Sequence, residues 1–227
     1  MHVHELQWIE PLTAMRCLSH QVDLTFLDSA ARHDLLDRYS YLMCDPFGTH
    51  SVAERVASWN GDTLPGDPWE ALRKVLARYS QAQRPDLPPF QGGAAGFLAY
   101  DLNRTLERLP PPAISGQHVP DSVLHLYDVV VSFDHRDHRC WIVSTGWPEQ
   151  DSARRSERAR RRADEFSTLL ATATPRSDGD PGTAGPWHSS FSRECYMAAV
   201  RRVIDLILAG DVFQANIAQR FSARLSS

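Results

Sequence analysis

Long apolar runs, a signal peptide and lysine are missing or scarce in this sequence. No apolar run approaches the roughly 18 residues that a membrane-spanning helix needs, and the opening segment holds no stretch typical of a signal peptide. Of the 24 basic residues only Lys74 is a lysine, so any chemistry that uses a lysine amine has one candidate. We therefore expect a cytoplasmic protein that has no membrane partner.

Paired cysteines are also missing. The four cysteines are far apart in the chain and form no Cys-x-x-Cys pair: Cys17, Cys44, Cys140 and Cys195. This spacing indicates buried thiols in a reducing compartment and argues against a zinc site. His135 and His138 have a spacing that a metal can use, but a three-residue interval in a polar loop fixes no ligand geometry. The sequence therefore predicts no metal at these residues.

The composition is that of an ordinary globular protein, with 42% hydrophobic and 23% charged residues in 227. A chain of this length buries about 70% of its unfolded surface, which is enough for a real core. Its net charge of −4 provides no field that would attract nucleic acid or anionic lipid. Arginines concentrate between 154 and 162, but acidic residues are mixed with them and aromatics are not, which favours a solvated helix face over RNA binding.

The first hundred residues read as short strands with one clear helix. Apolar runs at 22–29, 39–44 and 50–59 end at turn residues, and the third closes at Asn60-Gly61, a strong hairpin signal. Asp67 followed by Pro68 is typical of a helix start, and apolar residues at helical spacing follow it. We expect that helix to pack on a sheet.

The middle of the chain predicts more strands and a second helix. Residues 90–100 form a small-residue strand whose glycines permit close packing, and 123–133 with 140–145 form a buried hairpin. Residues 151–171 have helical composition, and we expect the front half of that helix to be solvated. No P-loop, GxSxG or HExxH motif is present.

A polar segment rich in glycine and proline divides the chain. We predict a domain over 1–171, a linker over 172–188 and a second region over 189–227. The second region predicts a helix between Ser192 and Gly210 and then a period-two strand over 213–221. One helix and one strand cannot make a core, so this part of the sequence looks unfinished.

Five phrases, taken in order, resemble one family. The segments at 26–30, 38–46, 90–110, 119–135 and 209–221 read FLDSA, RYSYLMCDP, FQGGAAGFLAYDLNRTLERLP, VPDSVLHLYDVVVSFDH and AGDVFQANIAQRF. They resemble component I of aminodeoxychorismate synthase and, less closely, component I of anthranilate synthase. The resemblance extends along nearly all of this chain and about the first half of the family's sequence.

The resemblance implies a fold, a reaction and partners. The fold is α+β, with antiparallel sheets and a few helices in the family's N-terminal domain and the start of its chorismate-binding domain. The parent enzyme converts chorismate and ammonia to 4-amino-4-deoxychorismate for 4-aminobenzoate and folate synthesis. A glutamine amidotransferase supplies the ammonia, and Mg²⁺ binds the substrate carboxylate. The family's catalytic residues and Mg²⁺ ligands follow the last phrase, so we expect none in this chain and no activity from it alone.

The resemblance also implies a pocket for free tryptophan. The positions that match it are Ser29, Leu36, Asp37, Arg38 and Tyr39. A serine hydroxyl, strand amides and a carboxylate can hold an amino acid's ammonium and carboxylate beside an apolar wall. Alternatively, Ser29 and Arg38 only close a turn and form a surface pair. An anthranilate synthase component I and a non-enzymatic module that binds tryptophan or docks on the amidotransferase remain the competing interpretations.

Overall fold

The computed structural model describes residues 1–30, 37–110, 119–176 and 182–226. Contacts between residues divide the chain into two compact units, Met1–Arg176 and Ser177–Ser227. The division falls inside 172–188, the polar segment rich in glycine and proline. None of the helices in the described ranges is long and apolar enough to cross a membrane.

The secondary structure of the described residues is mostly short strands. The strands of the first unit are β1 (His2–Leu6), β2 (Thr25–Leu27), β3 (Tyr39–Met43), β4 (Gly48–Ala53), β5 (Val56–Trp59), β6 (Asp62–Leu64), β7 (Gly93–Leu98), β8 (Ser122–Tyr127), β9 (Val129–Asp134) and β10 (Arg139–Ser144). Its helices are α1 (Pro11–Leu18), α2 (Pro68–Arg78) and α3 (Ser152–Thr172), with a 3₁₀ turn over Tyr100–Thr105. The second unit contains β11 (Thr183–Ala184), β12 (His188–Ser189), α4 (Arg193–Ala209), β13 (Phe221–Ser222) and β14 (Leu225–Ser226).

The described strands of the first unit form two antiparallel sheets. The first sheet has the order β1-β10-β9-β3-β2, and the second has the order β6-β5-β4-β8-β7. Helices α1 and α3 cover one face of the first sheet, where Phe133, Ile142 and Phe166 are buried in its core. The α+β class with antiparallel sheets that the sequence predicts is confirmed.

The two sheets pack on each other, and α2 covers the far side of the second. Met43 and Val130 from the first sheet meet Tyr127 from the second in a small buried cluster. Ala71 of α2 packs on Val52 in another cluster. The prediction that this helix packs on a sheet is therefore confirmed.

Asp128 marks the change from one sheet to the other. The apolar run that predicts one strand over 123–133 is instead split at this residue into β8 of the second sheet and β9 of the first. The expected hairpin with β10 is formed by β9 alone. The Asp128 carboxylate is 1% exposed and pairs with Arg158 at 3.1 Å and Arg162 at 3.4 Å. Periodicity missed the split because the residues on both sides of Asp128 are equally apolar.

The front half of the arginine-rich helix is mostly solvated, as expected, although the Arg158 side chain in it is only 23% exposed and pairs with Asp128. The back half begins with a buried arginine. Arg162 is only 8% exposed, and its guanidinium also lies 2.9 Å from a carboxylate oxygen of Asp45. A charged side chain is buried here because acidic partners meet it inside the fold. Arg160 and Arg161 are exposed, as expected.

Local signals at helix ends and hairpins agree with the structure. The Asp67 side chain accepts from the amides of Trp69 and Glu70, both at 3.0 Å. Asn60 and Gly61 form the β5–β6 turn with positive φ angles of 52° and 88°. The run at 50–59, however, is two strands, because Glu54 and Arg55 make a second tight turn with φ angles of 49° and 68°.

The predicted close packing at glycines of the 90–100 segment is confirmed. A Cβ at Gly96 would collide with the backbone carbonyl oxygen of Val123, and one at Gly92 would lie 2.8 Å from the Thr145 methyl group. The strand itself starts later than expected, at Gly93. These glycines let neighbouring strands approach closely.

In the second unit, α4 begins and ends as the sequence predicts, but the strand after it does not form. Ser192 accepts from the Cys195 amide at 3.2 Å, and Gly210 adopts a left-handed conformation with φ 82°. Residues 213–220 are irregular, and only Phe221–Ser222 pairs, with His188–Ser189. The prediction of a strand over 213–221 was therefore wrong, because alternation alone does not make a strand when the segment has no ladder partner.

Candidate functional site

The residues that the sequence nominates lie where β2 ends and β3 begins. The Ser29 hydroxyl donates to the Tyr39 carbonyl oxygen at 2.6 Å, and the Ser29 amide donates to the Ser40 hydroxyl at 3.0 Å. Asp37 lies two residues before the start of β3, whereas Leu36 lies outside the described residues. The structure thus joins Ser29 to Tyr39 across the neighbouring ends of two strands.

Ser40, which the sequence analysis did not nominate, is the centre of the hydrogen bonds here. It is fully buried, and its hydroxyl lies 3.0 Å from the Asp28 carboxylate and 2.8 Å from His135 Nε2. An ionised carboxylate accepts only, so the single hydroxyl proton goes to Asp28 and His135 must donate from Nε2. The Ser40 oxygen then accepts from both Ser29 and His135. This serine is therefore a structural bridge and not a nucleophile, because its lone pairs and proton are all used.

Arg38 is already paired with acidic residues. Its guanidinium donates to Asp134 at 2.7 Å and to Asp137 at 2.9 Å, and it lies 4.9 Å from the centre of the Tyr39 ring. Burial by itself raises the pKa of Asp134. The Arg38 guanidinium and the backbone amides of Asp137 and Arg136 lower it by more, so the pKa lies below its ordinary range. Arg38 therefore fixes the β9–β10 turn against β3.

Aromatic rings form an apolar surface next to the Arg38 guanidinium. The Tyr39 and Tyr41 rings are 6.3 Å apart, and Phe90 meets Tyr41 edge to face at 5.7 Å. Tyr41 is half-buried, and burial is the main reason why its pKa is raised. Polar groups at strand ends next to aromatic rings can bind a small molecule that has one charged and one apolar end.

The partners that the sequence analysis missed carried a partial signal. Asp134 ends β9 and His135 follows it in the turn before β10, and the sequence analysis named His135 only as a possible metal ligand. Trp8 stacks on His138 at 4.1 Å and meets His135 edge to face at 5.9 Å. The histidines of this loop thus have structural partners. Only the register of β3 against β9 brings His135 to Ser40 and Asp134 to Arg38, and register cannot be read from a single strand.

The residues that the structure describes do not fit a Mg²⁺ site. Within the described ranges, no group of three His, Cys, Asp or Glu side chains is placed to hold a metal ion.

Cys17, Cys44 and Cys140 are buried, and burial raises the pKa of Cys44 to about 12. Cys195 is exposed, contrary to the expectation of buried thiols, because α4 carries no buried residue.

Lys74 occupies an ordinary surface position. Its side chain is 75% exposed, and its amine lies 3.9 Å from the Glu70 carboxylate, one helical turn away. A lysine that reacts with a substrate needs a desolvated or cationic environment to activate its amine. The structure therefore agrees with the interpretation of Lys74 as a surface residue.

Comparison with known proteins relates the chain to enzymes that act on chorismate. The chorismate binding enzyme family matches residues 38–227. Anthranilate synthase component 1 of Thermus thermophilus is 33% identical over 219 residues, which cover 95% of this chain and 46% of that protein. Aminodeoxychorismate synthase component 1 of Bacillus subtilis is 28% identical over 208 residues, 87% of this chain and 44% of that protein. The chain thus spans a little under half the length of these relatives.

The fold has a solved counterpart. Anthranilate synthase component I from Streptococcus pneumoniae superposes with a TM-score of 0.67 over 87% of this chain and 44% of its own, at 24% identity. This similarity supports the α+β architecture with antiparallel sheets. Since the family match extends over most of the sequence, the chain belongs to the chorismate binding enzyme family.

Proposed function

We propose that this chain is part of component I of an aminodeoxychorismate synthase, which converts chorismate and ammonia to 4-amino-4-deoxychorismate. The observation that carries the proposal is the family match over 38–227 together with the phrase AGDVFQANIAQRF at 209–221. That phrase resembles the aminodeoxychorismate enzymes more closely than the anthranilate enzymes. A glutamine amidotransferase is the proposed source of ammonia, and the product serves 4-aminobenzoate and folate synthesis.

The residues in this chain indicate which part of such an enzyme it supplies. This chain supplies the sheets and the polar cluster around Ser40, while the amination chemistry and the Mg²⁺ ligands belong to segments of the family beyond the last matching phrase. Lys74 is an exposed surface residue, and no group of three His, Cys, Asp or Glu side chains in the described ranges is placed to hold a metal ion. We therefore expect these 227 residues alone, given chorismate, ammonium and Mg²⁺, to form no aminodeoxychorismate. Product above the blank would contradict this assignment of the chemistry.

Genetic complementation tests the main proposal. The complete reading frame that contains this sequence, not these 227 codons alone, is introduced into one bacterium that requires 4-aminobenzoate and another that requires tryptophan. Growth without 4-aminobenzoate is the expected result. Growth only without tryptophan would identify an anthranilate synthase instead, and rescue of neither strain would leave only a binding or docking module.

The anthranilate alternative has one specific observation in its favour. The Thermus thermophilus anthranilate synthase component is 33% identical to this chain, against 28% for the Bacillus subtilis aminodeoxychorismate component. Both proteins share the same scaffold, so identity over this half of the relatives measures common ancestry more than the product formed. The phrase at 209–221 is for that reason given more weight than the difference in identity.

We also propose that the end of β2 and the start of β3 form a pocket for free tryptophan, whose described residues are Ser29, Asp37, Arg38 and Tyr39, whereas Leu36 lies outside the described residues. The Ser29 proton is used on the Tyr39 carbonyl, so its oxygen can accept from the ligand's ammonium. Arg38 is held by Asp134 and contributes position more than a free charge. The aromatic rings beside Tyr39 suit an indole.

Calorimetric titration with tryptophan tests the pocket. Binding to the unaltered chain that is lost in Ser29→Ala and kept in Ser156→Ala is expected, because Ser156 lies on the exposed surface of α3. Heat that is equal in both variants, or absent from the unaltered chain, would mean that Ser29 and Arg38 only stabilise the turn.

A further inference from the structure

The hydroxyl group of Ser40 holds the backbone of Ser29, the serine of the proposed tryptophan pocket. The Ser29 amide donates to the Ser40 oxygen at 3.0 Å, and Ser40 is fully buried. A buried hydroxyl cannot contact a ligand, but it can fix the residue that does. The Ser29 side chain is fixed as well, because its hydroxyl donates to the Tyr39 carbonyl oxygen at 2.6 Å. Ser29 therefore has a defined orientation before any ligand binds.

Ser40 is itself held in place by two further side chains. Its hydroxyl donates to the Asp28 carboxylate at 3.0 Å and accepts from His135 Nε2 at 2.8 Å, so its proton and both lone pairs are used. Rotation of the Ser40 side chain would break three hydrogen bonds at once, and a buried polar group that loses its partners is costly. The oxygen that receives the Ser29 amide is therefore confined to one position.

His135 is placed beside Ser40 by contacts of its own. Its backbone amide donates to the Arg38 carbonyl oxygen at 2.8 Å, and its ring meets the Trp8 ring edge to face at 5.9 Å. His138 of the same turn also packs on Trp8, with the rings stacked at 4.1 Å, but it forms no hydrogen bond to Ser40 in the part of the chain that the structure describes. Of these two histidines, His135 is therefore the one that supports Ser40.

We propose that Ser40, supported by His135, is a positioning residue for tryptophan, because it holds Ser29 with its oxygen oriented toward the ligand's ammonium group. This inference rests on the proposed tryptophan pocket. A binding group that hydrogen bonds already hold loses less freedom when the ligand binds. The pocket should therefore lose affinity when Ser40 or its support is removed, although Ser40 is buried too deeply to touch the ligand.

A conservative substitution separates positioning from general stability. In His135→Gln the side-chain amide can donate to Ser40 in place of Nε2, whereas His135→Leu has no donor. By calorimetric titration with tryptophan, we expect Ser40→Ala to weaken binding about tenfold and His135→Leu about fivefold, because each removes hydrogen bonds that hold Ser29. His135→Gln should bind as the unaltered chain does. So should two controls: His138→Gln in the same turn, and Asp67→Ala, which removes a helix cap at the second sheet.

Hydrogen exchange of the Ser29 amide, followed by nitrogen-proton NMR, tests the hydrogen bond without a ligand. This proton should exchange about tenfold faster in Ser40→Ala than in the unaltered chain, with amides of the second sheet as the internal reference. Circular dichroism establishes that each variant folds, and the His135 pair decides the question if Ser40→Ala does not.

The possible outcomes separate this inference from the pocket on which it rests. Equal tryptophan binding by the unaltered chain and all variants would overturn the positioning role and leave the pocket in place. So would an equal loss in His135→Gln and His135→Leu, or an unchanged exchange rate of the Ser29 amide in Ser40→Ala. No binding to the unaltered chain would refute the pocket, and the positioning role with it.

Discussion

Two buried polar sites of the first unit, one at each sheet, differ in whether their side chains have partners. At the first sheet, Asp128 and Arg162 are buried together and each satisfies the other. In the second sheet, His50 is fully buried and neither ring nitrogen has a hydrogen-bond partner among the described residues. Burial alone therefore does not determine how a polar side chain changes the free energy of folding. A buried polar group destabilises the fold when it has no hydrogen-bond partner, and this cost is removed when a partner is present.

The pairing at the first sheet carries the larger energy. Burial raises the pKa of Asp128, and the positive charges of Arg162 and Arg158 oppose that shift. The carboxylate therefore depends on these arginines to remain charged inside the protein. Such a group stabilises the fold only while its partners are present.

Removal of Arg162 is expected to have the largest effect of the changes considered. Arg162→Ala leaves Asp128 with Arg158 alone and should lower the free energy of unfolding by about 3–5 kcal/mol. Urea denaturation followed by circular dichroism measures the loss. Arg161→Ala is the control, because Arg161 is 58% exposed and forms only a surface pair with Glu165, so about 0.5 kcal/mol is expected. Equal losses would show that the buried network contributes nothing special.

A clash in the second sheet is expected to come next. Gly96→Ala places a methyl group against the Val123 carbonyl oxygen, which belongs to the backbone of β8 and cannot rotate away. We expect a loss of about 2–3 kcal/mol in the free energy of unfolding. At Gly185 a Cβ has no neighbour nearer than 3.4 Å, so Gly185→Ala should change stability by less than about 0.5 kcal/mol. A tolerated Gly96→Ala would mean that the second sheet can separate its strands at little cost.

His50 should make the second sheet sensitive to acid. Burial lowers the pKa of His50 below the ordinary value near 6.5, so the unfolded chain binds the extra proton as the pH falls. Above about pH 6.5 His50 is neutral in both the folded and the unfolded chain, so its full contribution to stability is present. Below that value the unfolded chain takes up the proton first, and stability is lost. Between pH 7.5 and 5.5 we expect this group to cost about 1 kcal/mol.

The matched variant for that prediction is His50→Phe. This variant should remove about 1 kcal/mol of the stability that is lost in acid, because phenylalanine does not bind a proton. The cross-strand neighbours Trp59 and Leu124 lie on the same face and give the phenylalanine apolar surroundings. Urea midpoints at the two pH values measure the effect. His4→Gln, on a half-exposed strand, is the control. An identical pH dependence in His50→Phe and the unaltered chain would contradict the assignment to His50.

The sequence predicted local structure well wherever a residue acts on its immediate neighbours. Asp67, Asn60-Gly61 and Gly210 fix backbone geometry within a few residues, and all three behave as predicted. The strand division at Asp128 and the burial of Arg162 were missed. Both depend on partners more than thirty residues away, and composition does not reveal such partners.

The candidate site was predicted only in part, for the same reason. Ser29 and Tyr39 were nominated by a resemblance, and the structure joins them by a hydrogen bond. The role of Ser40, and the position of His135 beside it, depend on the pairing of β3 with β9. Residues that act through pairing of distant strands carry no local signal, whereas turns and caps do.

Loss of a helix cap is expected to have an effect as small as that of His50, and it tests the comparison of the two sheets most directly. Asp67 caps α2 on the second sheet, and Asp151 caps α3 on the first by accepting from the Arg154 amide at 2.9 Å. Because each cap satisfies exposed amides locally, Asp67→Ala and Asp151→Ala should each cost about 1 kcal/mol by urea denaturation. Similar losses would place the difference between the sheets in their buried polar groups. A loss more than twice as large at either cap would show instead that one helix holds its sheet together.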